Sequence, residues 1–300
     1  MITLVNQYQG ATDMLNTKKF SSILDSSQYI QYSLSDAELT KINELIYRRA
    51  GIVLSDQKRD MVFNRLSRRL RTIGSRSFKD YIAVLESNPV DAEWQHFING
   101  LTTNLTSFFR EAHHFPVLAQ HARSRPNNYS VWCTAASTGE EPWSIAITLE
   151  ETLGRSLIPP RIWATDIDTE VLVKARQGLY QLRDIDALSD EQKRTWFLRG
   201  KDDQNQMVKV KKELASCVHF ERLNLIDANW NVPAPFDAIF CRNVLIYFNQ
   251  RTQQTIINRF AKMLKPGGLL FVGHSEHFGK SSGPFRLKGQ SVYVLEGVES

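Results

Sequence analysis

One twelve-residue segment, Val131–Pro142, constrains the fold of this chain more than any other feature of its sequence. It begins with apolar, β-prone residues, continues through the small residues 134–139, and then places Glu140 beside Glu141. The helix dipole stabilises carboxylates at a helix N-terminus, so the segment predicts a strand, a tight turn and a helix start. Small residues in such a turn let a ligand approach the backbone closely, although an ordinary βα turn would show the same pattern.

The charge of this turn restricts the ligand that it would hold. A phosphate-binding loop of the GxxxxGK[ST] type carries a lysine after its second glycine, and its helix does not begin with two carboxylates. The pair Glu140 and Glu141 therefore favours a ligand that is neutral or cationic where it meets the helix. A nucleoside that carries a sulfonium or ammonium group has this character.

Length and composition are those of a soluble protein. The chain has 300 residues, of which 42% are hydrophobic and 23% charged, and this is enough for two domains. It contains no run of about 18 apolar residues and no basic N-terminal stretch followed by an apolar core, so we expect neither membrane insertion nor a signal peptide. Its cysteines, Cys133, Cys217 and Cys241, lack CxxC spacing. Reduced thiols and a cytoplasmic location are therefore expected.

Positive charge is concentrated in one predicted helix. The formal net charge is +5, and residues 56–71 hold six basic and two acidic side chains. At about 100° per residue, Lys58, Arg65 and Arg69 fall on one face of this helix. Such a face suits an acidic protein helix and is smaller than the footprint of most duplex binders, so no nucleic-acid partner is expected. A solvated basic face is the alternative.

The first part of the chain predicts a small all-α domain. Residues 1–33 are polar and rich in serine and glutamine, and we expect a loose arm there. Residues 34–100 carry helical periodicity, and the first helix has a capping box at Ser35–Glu38 and Gly51 at its far end. The later helices are predicted at Asp56–Ile73, Ser77–Glu86 and Val90–Gly100.

Residues 101–300 predict an α/β domain with a doubly wound parallel sheet, because apolar strands alternate with helices from about residue 128. The predicted strands are Tyr129–Cys133, Arg161–Thr165, His219–Arg222, Phe236–Cys241 and Leu269–Gly273, and the predicted helices are Glu140–Leu153, Thr169–Ala175 and Arg251–Leu264. Residues 285–288 and 291–296 flank a Gly-Gln turn and predict an antiparallel hairpin. The charged, partly β-like residues 178–218 interrupt the alternation and predict an inserted small β-subdomain.

Polar side chains follow the predicted parallel strands, at the edge where α/β sheets bind ligands. Asp166 follows the second strand, where a carboxylate can accept both hydroxyls of a ribose. Asn224 and Leu225 follow the third strand, in a segment suited to the edge and face of an adenine, and Arg242 follows the fourth. Each residue alone has a plainer role, such as helix capping by Asp166, but together they predict a nucleoside site.

Four segments of the chain carry distinctive motifs. They are Thr103–Arg110 (TNLTSFFR), Ala136–Ser144 (ASTGEEPWS), Ala164–Asp168 (ATDID) and Phe240–Phe248 (FCRNVLIYF). Together they resemble the signatures of chemotaxis receptor methyltransferases of the CheR type, and the resemblance covers residues 35–296. It implies a small all-α domain before an S-adenosylmethionine methyltransferase sheet with an inserted β-subdomain. The implied activity is methyl transfer from S-adenosylmethionine to glutamate side chains of chemoreceptors, which gives methyl esters in sensory adaptation.

The resemblance also implies roles for single residues. Implied cofactor contacts are Asn104, Thr106, Arg110, Glu140, Asp166, Asn224, Leu225, Arg242 and Asn243. Arg110 and Tyr247 are implied to lie close to the reacting methyl group, and the basic helix is similar to the surface that meets receptor methylation helices. Members of the family that bind a C-terminal receptor tether have a glycine-bearing loop in the β-subdomain. Here residues 199–207 contain only Gly200, which weighs against tether binding.

No metal site is expected. The pairs His113 and His114, and His274 and His277, lack the helical HExxH spacing and have no cysteine nearby. Two other functions stay open at this point, a nucleic-acid methyltransferase and a regulator that binds S-adenosylmethionine without turnover. The localised charge disfavours the first, and the presence of both Arg110 and Tyr247 disfavours the second.

Overall fold

The computed structural model describes residues 31–90, 92–154, 161–276 and 281–296. Within these residues an all-helical part precedes an α/β part, which confirms the predicted fold class. The arm predicted at 1–33 falls almost entirely outside them. No helix among the described residues is long and apolar enough to cross a membrane.

The helices and strands agree closely with the predicted ones. The α-helices are α1 Asp36–Ala50, α2 Arg59–Ile73, α3 Phe78–Ser87, α4 Glu93–Leu101, α5 His114–Arg123, α6 Glu140–Leu153, α7 Thr169–Gln177, α8 Asp190–Trp196, α9 Lys212–Ala215 and α10 Gln250–Met263. The β-strands are β1 Ser130–Cys133, β2 Arg161–Asp166, β3 Leu179–Gln181, β4 Phe197–Arg199, β5 Met207–Val210, β6 Val218–Arg222, β7 Phe236–Cys241, β8 Leu264–Val272, β9 Ser281–Ser282, β10 Phe285–Gly289 and β11 Val292–Leu295. A short 3₁₀ turn at Asp56–Lys58 precedes α2, and the sequence did not predict α5.

Local signals place the ends of α1 as predicted. The Ser35 hydroxyl accepts a hydrogen bond from the Glu38 amide, and the Glu38 carboxylate accepts one from the Ser35 amide. Gly51 ends the helix at φ 70°, in the left-handed region that favours glycine. A β-carbon on Gly51 would lie 2.6 Å from Ile226 Cγ2, so the end of α1 packs tightly against the turn after β6. This contact places the helical part over one edge of the sheet.

The main sheet has the strand order β6-β2-β1-β7-β8-β11-β10-β9. Strands β6, β2, β1, β7 and β8 are parallel, whereas β11, β10 and β9 continue the sheet as antiparallel neighbours. Cys133 of β1 lies beside Ala164 of β2 and Phe240 of β7, so the carboxyl ends of these strands reach similar levels. The predicted parallel sheet and C-terminal hairpin are both confirmed.

The inserted β-subdomain is a separate antiparallel sheet of order β3-β5-β4. Its Tyr180 hydroxyl donates a hydrogen bond to the Thr138 carbonyl at 2.7 Å. The ring of Phe108 packs edge-on against both Tyr180 and Phe197, with centroids 5.1 and 5.7 Å apart. The subdomain is therefore anchored to the small-residue turn after β1.

Each part of the fold has its own apolar core. Ile42, Leu66 and Phe97 are buried together in the helical part. The two faces of the parallel sheet bury separate clusters, because Cys133 packs on the face covered by α5 and α6, whereas Trp132 packs on the face covered by α10. Strands covered on both faces are apolar at successive positions, which is why these strands were recognisable in the sequence.

Candidate active site

A cleft opens where the helical part meets the carboxyl ends of β1, β2, β6 and β7, and the space that it encloses, together with its open side, is about 950 Å³. The predicted site residues that line it are Lys58, Asn104, Thr106, Arg110, Asp166, Asn224, Leu225, Arg242, Asn243 and Tyr247. Glu140, Arg65 and Arg69 are not among its lining residues. The structure thus brings together residues from four strand ends and the helical part.

Asp166, at the end of β2, is fixed in the cleft wall by backbone donors. Its Oδ2 accepts from the Ser137 amide at 2.8 Å, and its Oδ1 accepts from the Asp168 amide at 2.9 Å. The residue is 8% exposed, and this burial raises its pKa to about 6 although both donors favour the ionised form. Each carboxylate oxygen keeps a second lone pair, so the group can still accept two ligand hydroxyls.

Glu141 lines the cleft, whereas Glu140, the predicted cofactor contact, does not. The Glu140 carboxylate instead accepts from the Thr138 hydroxyl at 2.6 Å, and burial raises its pKa. Neighbouring residues of an α-helix point about 100° apart. The docking of α6 against the sheet decides which of the two carboxylates faces the cleft, and the sequence does not contain that information.

Arg242 is the buried centre of a charge network beside the cleft. Its side chain is 1% exposed, with Nη1 2.7 Å from Glu141 Oε2 and Nη2 3.5 Å from Glu111 Oε2. Nη2 also donates to the backbone carbonyl of Arg110. Burial raises the pKa of Glu141, and the Arg242 charge opposes that rise. The network joins the end of β7 to the N-terminus of α6 and to the loop that carries Arg110.

Glu276 belongs to the site although the sequence assigned it no role. Its buried carboxylate accepts from the backbone amides of Asn243 at 2.7 Å, Gly273 at 2.6 Å and Ile246 at 3.2 Å. Asn243 has φ 57°, an uncommon conformation that these bonds hold in place. A β-carbon on Gly273 would lie 2.7 Å from Glu276 Oε2, so only glycine fits there. Glu276 therefore positions the loop that presents Asn243 and Tyr247.

The loop before α5 carries Asn104 and Arg110 to the cleft. The Asn104 amide donates to Asp168 Oδ2 at 2.8 Å, and Asp168 also caps α7 through its Oδ1. Phe109 and Glu111 both have φ 52°, so the chain turns sharply on each side of Arg110. The Asn104 side chain thus holds the loop in place. Arg110 is the cationic side chain that this loop brings to the cleft.

The turn after β6 presents an apolar surface to the cleft. The Asn224 amide donates to the Arg49 carbonyl at 2.8 Å, and its Oδ1 accepts from the Ile226 amide at 3.3 Å. Leu225 is buried and lines the cleft beside it. Since the Asn224 side chain links this turn to α1, a ligand here meets the turn's backbone and Leu225.

The helical part lines the other side of the cleft with the buried Ile52 and Leu54 and with the half-exposed Lys58. The Lys58 ammonium lies 4.9 Å from the centroid of the Tyr247 ring. The Val53 amide donates to the Tyr247 carbonyl at 2.8 Å, which joins the segment before α2 to the loop after β7. A cation and a phenol therefore stand side by side at the cleft mouth.

Arg65 and Arg69, which were predicted to bind the substrate, have hydrogen-bond partners within the chain. Arg65 donates to the Thr102 carbonyl at the end of α4. Arg69 Nε donates to Glu93 Oε1 at 2.8 Å, and the Tyr81 hydroxyl donates to the same oxygen. Helical periodicity correctly groups Arg65 and Arg69 on one face, but it cannot show that α4 covers that face.

Two family models match the chain. The model described as CheR methyltransferase, all-alpha domain, matches residues 37–102, and the model described as CheR methyltransferase, SAM binding domain, matches residues 104–294. The first match covers the helical part, and the second begins at Asn104 in the cleft.

Curated relatives cover most of this chain. A chemotaxis protein methyltransferase of Klebsiella aerogenes is 60% identical over 262 residues, which are 87% of this chain and 90% of that protein. The chemotaxis protein methyltransferase of Escherichia coli is 57% identical over 263 residues, which are 88% of this chain and 92% of that protein. The one of Salmonella typhimurium is 54% identical over 284 residues, which are 95% of this chain and 98% of that protein. Among solved structures, an O-methyltransferase family protein from Burkholderia thailandensis is 16% identical with a TM-score of 0.35, over 66% of this chain and 47% of that chain, which is too low to carry an argument.

Proposed function

Since the chain belongs to the CheR methyltransferase family, we propose that its cleft transfers a methyl group from S-adenosylmethionine to glutamate carboxylates of chemoreceptors. It is an S-adenosylmethionine-dependent methyltransferase of chemotaxis, and its place of action is the cytoplasm. The observation that carries the assignment of the site is the convergence of Asp166, Glu141, Arg110 and Tyr247 on one cleft.

The donor groups of the cleft fit S-adenosylmethionine. Asp166 accepts the two ribose hydroxyls through its remaining lone pairs, and Leu225 contacts the adenine face. Arg110 binds the carboxylate of the cofactor, and Glu141 lies toward its cationic part. The cofactor supplies an electrophilic methyl group on a sulfonium.

The substrate needs little activation. A glutamate side chain has an ordinary pKa of about 4.3, so it is already an ionised nucleophile at neutral pH. Among the described residues that line the cleft there is no histidine or cysteine, in keeping with a reaction that requires no strong general base. A carboxylate and a sulfonium lose their charges together, so exclusion of water favours the reaction, and alignment contributes up to ~7–11 kcal/mol in favourable systems.

Tyr247 and Arg110 take different roles in this proposal. A tight ion pair between Arg110 and the substrate carboxylate would weaken the nucleophile, so Arg110 binds the cofactor instead. The Tyr247 hydroxyl donates to the substrate oxygen that does not attack, and Lys58 attracts the substrate from its place over the Tyr247 ring. If Arg110→Ala left cofactor affinity intact and lowered only turnover, this division of roles would be wrong.

The receptor surface that this cleft fits is an acidic helix. Lys58 and the 81% exposed Leu105 both line the cleft, and Ile246, next to Tyr247 in the chain, is 49% exposed. A cation beside exposed apolar side chains suits the negative charge and the apolar stem of a glutamate on such a helix.

The β-subdomain provides a second receptor contact in our proposal. Its edge strand β4 carries Leu198, which is 56% exposed, and an exposed edge can pair with an extended peptide. A β-carbon on Gly200 would lie 2.1 Å from the Gln204 carbonyl oxygen, so this glycine is required by the fold of its own loop. A C-terminal receptor tether would bind along β4.

One assay tests the main proposal. The protein is incubated with radiolabelled cofactor, receptor-containing membranes and RNA, and base-labile methyl esters are counted. We expect label on the receptor, with Tyr247→Phe lowering kcat. The control Tyr32→Phe, whose hydroxyl bonds the Ser75 carbonyl outside the cleft lining, should leave kcat unchanged. Label on RNA would favour a nucleic-acid methyltransferase, and cofactor binding without transfer would favour a regulator.

The tether proposal needs a separate comparison of substrates. A receptor fragment that has its C-terminal tail and one that lacks it are methylated by the protein and by Leu198→Lys. We expect the substitution to lower methylation of the tailed receptor only. An equal effect on both fragments would exclude β4 as the tether site.

A further inference from the structure

Three side chains around the start of α5 converge outside the cleft lining. Glu111, His113 and His114 each offer a ligand atom, and these atoms lie within 4.8 Å of one another. In the described part of the chain, Glu111 Oε2, His113 Nε2 and His114 Nδ1 are buried without a hydrogen-bond partner. Buried polar atoms normally have hydrogen-bond partners, so three atoms that lack one at a single point indicate a place for a further ligand. Of the three, Glu111 Oε2 also has an ion-pair contact, 3.5 Å from Arg242 Nη2.

The ring of His114 is oriented as a metal ligand would be. Its side chain is 0% exposed, and its Nε2 lies 3.2 Å from the Gln290 carbonyl and 3.1 Å from the Ser291 hydroxyl. A carbonyl only accepts, so Nε2 carries the hydrogen and Nδ1 presents a bare lone pair. Metal-ligating histidines usually donate their other ring N–H to such a carbonyl.

The two oxygens of Glu111 have different surroundings. Oε1 accepts from the His274 amide at 3.3 Å, whereas Oε2 lies 3.8 Å from His114 Nδ1. Two acceptors that face each other in a buried place need a cation or a proton between them.

We propose that Glu111, His113 and His114 bind one first-row divalent cation, for which zinc is the best match. Two imidazoles and a carboxylate are a common zinc donor set, and solvent completes the fourth position. Zinc–ligand distances of about 2.1 Å in a tetrahedron place ligand atoms about 3.3 Å apart. The three atoms must therefore close by up to about 1.5 Å, a movement that the partly exposed Glu111 and His113 can make.

The local charge permits a cation although Arg242 is close. Arg242 Nη2 lies 3.5 Å from Glu111 Oε2, but its charge is already matched by Glu141 at 2.7 Å. Glu111, Glu141 and Arg242 together carry one net negative charge before the cation binds, and Arg110 adds a further positive charge that acts on Glu141. The cation would compete with Arg242 for Glu111. By binding Glu111 and His114 together, it would link the loop that carries Arg110 to α5, and His114 in turn contacts the Gln290 carbonyl.

The test uses the full chain with S-adenosylhomocysteine bound. Zinc chloride is titrated by isothermal calorimetry, and we expect one equivalent to bind. His113→Phe keeps a ring beside His114, whose centroid is 4.2 Å away, and Glu111→Gln keeps the shape of the carboxylate. Each variant should weaken zinc binding at least tenfold. His96→Gln, which alters an exposed histidine 3.6 Å from Glu170, should leave it unchanged.

Cobalt gives a direct view of the ligands. One equivalent of Co²⁺ should produce visible absorption of a tetrahedral site in the wild-type chain, and His113→Phe should abolish it while S-adenosylhomocysteine still binds. If the wild-type chain gives no such absorption, or if both cluster variants bind zinc as tightly as His96→Gln does, the proposed site is wrong. Neither result depends on receptor methylation, so the site and the proposed function fail separately.

Discussion

The two sides of the cleft are built differently. On the sheet side, Asp166, Arg242 and Glu276 are buried, and each is held by two or more hydrogen bonds or ion pairs within the chain. On the helical side, Lys58 is half-exposed and lines the cleft next to the ring of Tyr247.

This contrast separates two tasks. Dipoles and charges that are fixed before a ligand arrives cost no reorganisation when it binds, which suits a cofactor of constant shape. An exposed lysine contributes little binding energy, and it tolerates partners that differ in detail. We therefore expect substitutions on the sheet side to act on stability and cofactor affinity, and substitutions on the helical side to act on receptor binding.

Arg242→Met should give the largest effect. It leaves Glu141 and Glu111 without their shared cation in a buried place, and removal of one member of a buried ion pair costs about 3–5 kcal/mol. Urea unfolding measures the loss in the free energy of unfolding. The control is Arg68→Met on the exposed face of α2, which should change that free energy by no more than about 0.5 kcal/mol. If both variants lost a similar free energy of unfolding, the buried charge network on the sheet side would not be more important for stability than an exposed charge.

Asp166→Ala should weaken S-adenosylhomocysteine binding by about 10- to 100-fold, since hydrogen bonds to a charged group contribute about 1.5–3 kcal/mol. Calorimetric titration gives the Kd. Asp227→Ala is the matched control, because Asp227 also follows a strand but is exposed and absent from the cleft lining. Equal losses in the two variants would show that Asp166 acts through the fold and not through the ribose.

Glu276→Gln should lower kcat about tenfold with a smaller change in cofactor Kd. The Asn243 and Ile246 amides donate to different oxygens of Glu276, and an amide keeps only one accepting oxygen, so one of the two bonds is lost. The loop of Tyr247 then shifts, and small misplacements are costly in catalysis. Steady-state kinetics measures the change in kcat, with Glu221→Gln as a control on the surface. An unchanged kcat would mean that Tyr247 is positioned without Glu276.

The pKa of Asp166 predicts opposite pH effects on binding and stability. Because burial raises this pKa from 3.8 to about 6, the ionised form that accepts both ribose hydroxyls grows between pH 5.5 and 7, and cofactor affinity should rise about fourfold. The same raised pKa favours the folded state below about pH 4, and this contribution is lost as pH rises through 6. Asp166→Asn should remove both trends. A pH-dependent affinity that persists in Asp166→Asn would assign the titration to another group.

Lys58→Ala should raise the KM for receptor about threefold at low salt and leave cofactor Kd unchanged, as expected for an exposed charge. Arg68→Ala is its control, since Arg68 is exposed on α2 and does not line the cleft. Reversal of Arg69 would not replace this test, because it would place a carboxylate against Glu93. An equal rise in KM in both variants would indicate general charge attraction and no specific contact at the mouth.

Most of the fold was predictable because its signals are local. The capping box at Ser35, the apolar strands and the small-residue turn after β1 each fix the backbone within a few residues. Helix α5 was missed because its first turn lacks an acidic residue or a side-chain cap. The apolar side of α5 can be recognised only when the helix is seen to pack on the sheet.

The sequence by itself determined the order of strands and helices and the residues at the strand ends, because periodicity and position along a strand are properties of neighbouring residues. Tertiary structure alone decided that Glu141 faces the cleft in place of Glu140, that Arg69 binds Glu93, and that Glu276 supports the loop of Tyr247. In each case the deciding partner lies on another element. The direction of a side chain depends on how two elements dock, and no local pattern records that docking.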